Sequence, residues 1–310
     1  MNSQDLPALP PQSLPQSIRA TLCFFDLFDC PLTFEELKFY LLSSKSWADE
    51  ELLDTLKNDE QIVLREGYYC LKSSQGHVNT RKVRSTIADE YYKKLRRYLP
   101  LIRIIPFVKM VAVCNTLAFG CPTAKSDIDL FIVAKKNRLF IVRTLTTVLF
   151  HIMGVRRHGD KVAGRFCLSF FISDDQMDLS SLMKDQNDIY FLYWLRTLKP
   201  VYGEETFAKF LQANNWTEKY FANPHMSREF WKSGRLFTII ARIKEFFLWG
   251  FIGNFYENFL AKKHLKRHAQ KAAELGEESS VVVNRHILKY HNVDRRAEYR
   301  EKFYDKLRKL

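Results

Sequence analysis

The stretch "VAVCNTLAFGCPTAKSDIDLFIVAKK", Val111 to Lys136, decides how this chain is read. An apolar run turns through Asn115 and Thr116, and a second apolar run, "IDLFIV", begins around two aspartates one residue apart, Asp127 and Asp129. Residues i and i+2 of a strand share a face, so the two carboxylates fall on one side at a spacing of roughly 7 Å. Like charges that close repel by about 2 kcal/mol at an effective dielectric of about 20. A divalent cation between them is the direct compensation. The competing account keeps both acids structural, with Asp127 capping the turn after Lys125 and Ser126, and Asp129 paired with Lys125 or a nearby arginine.

Upstream, Ile18, Leu22, Phe25 and Phe28 mark the apolar stripe of a helix ending near Cys30-Pro31. Thr33 and Glu36 form a capping-box pair opening a second helix, and "WADEELLDTLKND" after Ser46 is a third. "IVLREGYYCL" then reads as a hairpin turning at Glu66-Gly67. Three helices and a hairpin are the order of a winged helix. A groove-reading third helix needs Lys or Arg against phosphate. Residues 46–60 instead carry six acids and only Lys57, which favours a protein-contact or intramolecular module over a DNA reader. The basic helix "NTRKVRSTIADEYYKKLRRYLP" follows, with Ile87, Tyr91 and Leu95 expected inward.

Downstream, "RLFIVRTLTTVLFHIMG" reads as a buried helix and "GRFCLSFFIS" as a strand, giving strand, turn, strand, helix, strand. Between them the glycine-bearing loop "GVRRHGDKVAGR" offers Arg156, Arg157, His158, Lys161 and Arg165, expected to be mobile and able to meet a polyanion. Beyond Asp178 strand signals almost vanish, 235–275 reads as one long or two adjoining helices, and the tail "DRRAEYREKFYDKLRKL" is a charged helix capped by Asp294. His264 and His268 stand at i and i+4 with no third ligand, so a basic solvated face is expected there.

With 310 residues, 46% of them hydrophobic, the chain can build two or three compact units. Six cysteines without a C-x-x-C pair point to buried thiols in a reducing cytoplasm. The polar, proline-rich start lacks the pattern of a signal peptide and reads as a disordered lead. The most lipid-like segment, from Leu236, is broken by Arg242, Lys244, Glu245 and Glu257, so a buried or interfacial amphipathic helix is expected rather than a membrane span. The net charge of +13 is uneven: residues 1–78 carry twelve acids against six bases, so any basic partner surface lies later in the chain.

The strand and turn "VAVCNTLAFG" followed by "SDIDLFIV" resemble the nucleotidyltransferase superfamily, whose polymerase-beta-like fold places a Gly-Ser turn before a D-x-D strand. The resemblance covers roughly residues 107–175, and the preceding winged helix is similar to an uncharacterised bacterial group with the same fusion. It implies an α+β protein with a disordered lead (1–16), a winged helix (17–78), connector helices and a mixed-sheet nucleotidyltransferase unit (79–178), a helical region (179–275) and a C-terminal loop and charged helix (276–310). It further implies Mg²⁺-dependent nucleotidyl transfer from an NTP, with ATP the first candidate, to RNA, a protein or a small molecule. Asp127 and Asp129 become catalytic metal ligands. Asn115 and Thr116 occupy the phosphate-binding turn, and Lys125, Arg157 and Arg165 are the cations nearest the nucleotide. The family's third carboxylate belongs on "RFCLSFFIS", where Cys167 and Ser169 stand instead and Asp174 and Asp175 follow the strand. Either the third ligand is recruited from those two, or the protein binds nucleotide or nucleic acid in a regulatory role.

Overall fold

The computed structural model describes residues 9–224, 230–231, 235–275, 281–290 and 294–310, and of 235 and 268–275 the backbone alone. Helix α1 (Leu14–Asp26) opens with Pro15, whose fixed φ suits a first turn and whose missing N–H has no helical partner to lose. Leu9 and Leu14 already pack into the core, so ordered chain begins before the Ser17 boundary expected from the sequence. Of the proline-rich lead, residues 1–8 lie outside the described residues. The capping box of α2 (Phe34–Tyr40) is present, with Thr33 Oγ1 accepting from the Glu36 N–H at 3.3 Å and Glu36 Oε2 accepting from the Thr33 N–H at 3.0 Å. Helix α3 (Asp49–Asn58) begins with three acids at its positive dipole end. Strands β1 (Ile62–Arg65) and β2 (Tyr68–Leu71) pair antiparallel across Glu66–Gly67, both at positive φ (52° and 82°), as a twist-matched two-residue hairpin turn requires.

Helix α4 (His77–Arg103) leads into β3 (Val108–Val113), the single turn α5 (Asn115–Ala118), β4 (Ile128–Ala134), α6 (Leu139–Ile152) and β5 (Phe166–Ser173). The buried stripe of α4 runs through Arg81, Ala88, Leu95, Leu99 and Ile102, while Ile87 and Tyr91 lie at its edge. The chain then gives α7 (Ile189–Thr197), β6 (Lys199–Tyr202), α8 (Glu204–Ala213), α9 (Arg235–Phe247), α10 (Gly250–Leu275), β7 (Val282–Val283), β8 (Ile287–Lys289) and α11 (Arg296–Leu307). The protein is a mixed α+β structure around a six-stranded sheet of order β6-β3-β4-β5-β8-β7. Among the described residues only β4 and β5 of the sheet are parallel, joined across α6, and its other neighbouring pairs are antiparallel.

The strand, turn, strand, helix, strand unit is as the sequence indicates. The near absence of strands beyond Asp178 is not: β6, β8 and β7 complete both edges of the sheet. They are two to four residues long, too short for a period-2 pattern to register, and Lys199-Pro200 marks β6 as an edge strand.

Period-2 alternation sorts the sheet's side chains. Val111, Val113, Leu130 and Ile132 face a core shared with α4 and α6, while Met110, Ala112, Phe131 and Val133 face α7 and α8. A third core joins the amino-terminal helices to Ile189, Leu192 and Tyr193 of α7 and to Phe303 and Tyr304 of α11. Polar contacts weld the same junction. Tyr193 donates to the Tyr40 carbonyl at 3.1 Å, Arg196 Nε to the Phe39 carbonyl at 3.0 Å, and Asp26 accepts from Ser74 and pairs with Lys306. Arg81 is buried where its guanidinium reaches Glu36 at 2.6 Å and the Phe119 carbonyl at 2.8 Å. Beside it Cys30 and Cys121 form a disulfide, correcting the expectation of free thiols throughout. Ninety-one residues separate the pair, a distance at which spacing carries no information.

Candidate functional site

Both acids at the entrance of β4 are held by their neighbours' backbones. Ile128, fully buried between them, donates its N–H to the Arg165 carbonyl at 2.8 Å, and Cys114 donates to the Asp129 carbonyl at 3.1 Å. The parallel register sets Cys167 of β5 directly opposite Asp129. One ligand atom each from Asp127, Asp129 and Cys167 lie within 4.8 Å of one another.

Asn115 adopts φ +59°, the left-handed geometry for which the turn would otherwise call on glycine. Its side chain also steadies the site, because Nδ2 donates to Asp129 Oδ2 at 2.8 Å and Tyr190 donates to Asn115 Oδ1 at 3.4 Å. Arg157 reaches Asp127 Oδ2 at 2.6 Å and so supplies the counter-charge that the sequence assigned to a partner of Asp129. Thr116 lines the same cleft, whereas Lys125 and Arg165 do not. The loop carrying Arg157 is tied down rather than loose: His158 and Lys161 exchange backbone hydrogen bonds, and Arg157 donates to the Phe166 carbonyl at 2.9 Å. Asp174 and Asp175 stand at the far end of β5, where Asp174 accepts from the Lys136 N–H at 2.7 Å and Asp175 pairs with Lys136. Seven or eight residues along a strand is roughly 25 Å, so neither completes the cluster. His264 packs half-buried against Phe140 and Thr144 instead of lying on a solvated face, and the side chain of His268 is outside the described residues.

The cleft has a volume of about 470 Å³ and is lined by Asp127, Asp129 and Thr116 together with Phe28, Tyr190, Arg295 and Tyr299. Tyr190 and Tyr299 stack on each other with centroids 4.9 Å apart. An annex of about 180 Å³ shares Asn115, Tyr190 and Tyr299 and adds Lys289 and Arg296. A larger depression of about 620 Å³ behind α5 includes neither aspartate, so size does not single out the chemistry. Burial, and then the charge of Asp127, pushes the Asp129 carboxyl up to about 7, with the Asn115 amide pulling the other way. The Cys167 thiol is likewise raised by burial and by Asp129. Burial and the nearby Arg296 bring Lys289 down to about 8.

Two carboxylates and a sulfur at this spacing suit a single cation, and Asp127 and Asp129 are the oxygen donors a hard divalent ion takes. The sulfur is a soft donor that magnesium uses poorly. Tyr190, Arg295, Tyr299 and Phe28 escaped the sequence reading because they arrive from separate segments with no motif of their own. Only the tail's charged-helix pattern hinted that Arg295 existed as an exposed cation. Neither protein-family models, nor curated proteins, nor solved structures yield a match to this chain.

Proposed function

We propose that this protein is a Mg²⁺-dependent nucleotidyltransferase of polymerase-beta-like type, carrying an amino-terminal winged-helix unit that serves as a protein-contact and scaffolding element. The observation that carries the reading is the convergence of Asp127, Asp129 and Thr116 on one aromatic-walled cleft beside a left-handed turn. A bound magnesium ion would neutralise phosphate charge and act as a Lewis acid on the reacting phosphoryl group. The chain's own part is to hold that ion through Asp127 and Asp129 and to place phosphate oxygens by Thr116 and the α5 turn. The stacked Tyr190–Tyr299 pair offers an aromatic wall for a base, and Lys289 and Arg295 offer positive charge. ATP is the first donor to offer, and the basic later part of the chain favours RNA or an acidic protein surface as acceptor. The five acids exposed along and after α3 favour a protein contact over DNA for the amino-terminal unit.

A second reading rests on Cys167 standing where a third acid would: the site binds nucleotide and reports it without transferring it. Labelled NTPs with Mg²⁺ and a panel of RNA, protein and small-molecule acceptors separate the two. Transfer lost in Asp127→Ala and Asp129→Ala supports the enzyme. Saturable calorimetric binding of ATP without transfer supports the sensor, and neither signal overturns both.

A further inference from the structure

Helices α9 and α10 turn polar and small residues toward the body, together with Leu260 and Leu265 of α10, and most of their large apolar residues toward solvent. On α9, Glu245 accepts from the Phe107 N–H at 2.7 Å, Thr238 meets Arg103 at 3.3 Å, and Ala241 is buried. On α10 the inward line is Gly253, Glu257 and Ala261. Glu257 accepts from the Phe140 and Ile141 N–H groups at 3.0 and 2.9 Å, capping the first turn of α6. Gly253 is required there, because a Cβ would lie 1.7 Å from the Leu248 carbonyl.

The opposite faces carry what an ordinary amphipathic helix buries. Leu236, Ile239, Ile243, Phe246 and Phe247 of α9 are exposed, as are Phe251, Ile252, Phe255, Tyr256 and Phe259 of α10, all between 50% and 85%. Exposure peaks beside the elbow, at Phe246 (78%) and Phe251 (85%), with Trp249 between them. Such a continuous apolar surface marks a partner.

Charge identifies the partner. Over 236–267 the only acids are Glu245 and Glu257, both engaged inward, whereas Arg242, Lys244, Lys262, Lys263, Lys266 and Arg267 are exposed. The outward face is therefore apolar and aromatic, and the exposed charges that these two helices themselves add over 236–267 are all positive. A second copy brought against it would set like charges together, whereas an anionic bilayer surface accepts the aromatics among its acyl chains and the cations among its phosphates. Among the described residues no helix is long and apolar enough to cross a membrane, which leaves this pair to lie in the interface. We propose that the α9–α10 elbow docks the protein peripherally on anionic phospholipid membranes. This inference is independent of the nucleotidyltransferase reading.

The test is co-sedimentation of the full chain with phosphatidylcholine vesicles and with vesicles containing about 30% phosphatidylglycerol. Binding is expected to the anionic vesicles, weakened in about 0.5 M NaCl, where charge is screened. Phe246→Ser and Phe251→Ser should each reduce it about tenfold, the loss for one aromatic side chain withheld from the apolar phase, with thermal melting unchanged because both residues are exposed. Absence of vesicle binding overturns the inference. So does a concentration-dependent dimer that the same substitutions dissolve, which would assign the face to a second copy.

Discussion

Replacing Cys167 by aspartate probes the candidate site most directly. The new carboxylate would sit opposite Asp129 at a position whose present sulfur is within 4.8 Å of both acids. At an effective dielectric of about 20, its attraction to a divalent ion about 3 Å away is about 11 kcal/mol, and its repulsion from two carboxylates at that spacing is about 7 kcal/mol. The repulsion acts with and without the ion and therefore weakens the metal-free fold rather than the affinity, while most of the attraction is offset by desolvating a third charge and stripping water from the ion. For a net gain of about 2 kcal/mol, magnesium should bind about 30-fold more tightly to Cys167→Asp than to the parent. Without metal the same variant should melt lower, because three acids then share one cleft in which Arg157 pairs with Asp127. Calorimetric titration with magnesium chloride reads the first effect, and melting curves with and without the salt read the second. Unchanged or weaker magnesium binding, with the fold intact, would refute the assignment of these side chains as a cation site.

Three further expectations follow from the same geometry. The Asp129 carboxyl, held near 7 against 3.8 in its ordinary state, binds a proton in the folded protein across the window between those values, so metal-free stability falls as pH rises through it. Asp129→Asn should therefore melt above the parent at pH about 8 and alongside it at pH about 4, and parallel curves at both would contradict this. Gly253→Ala drives a methyl into the Leu248 carbonyl and should cost about 2 kcal/mol, several degrees of melting temperature; a neutral effect would show that the elbow is not held as described. Reducing Cys30–Cys121 opens a constraint spanning 91 residues and should remove about 4 kcal/mol. Identical melts with and without reductant, together with six titratable thiols in the untreated protein, would contradict the pairing.

Features decided within a few residues were legible from the sequence. Thr33 and Glu36 make a capping box because a hydroxyl and a carboxylate three positions apart reach each other's N–H groups in any helix start. Glu66-Gly67 turns a hairpin because glycine accepts positive φ. Asp127 and Asp129 share a face because strand geometry has period two, and β3 and β4 announced themselves as apolar runs.

What tertiary structure alone decided lies between residues far apart in the chain. Nothing local pairs Cys30 with Cys121, sets Cys167 opposite Asp129, or brings Tyr299 from the last helix to the wall of a cleft built by β4. The strands β6, β7 and β8 were missed because a two- to four-residue edge has no period of its own and exists only when a longer strand offers hydrogen bonds. The amphipathic pattern of α9 and α10 was plain, yet a hydrophobic stripe states only that two faces differ. Glu245 and Glu257, anchored to backbone amides of the body, determine that the apolar face is the one turned outward.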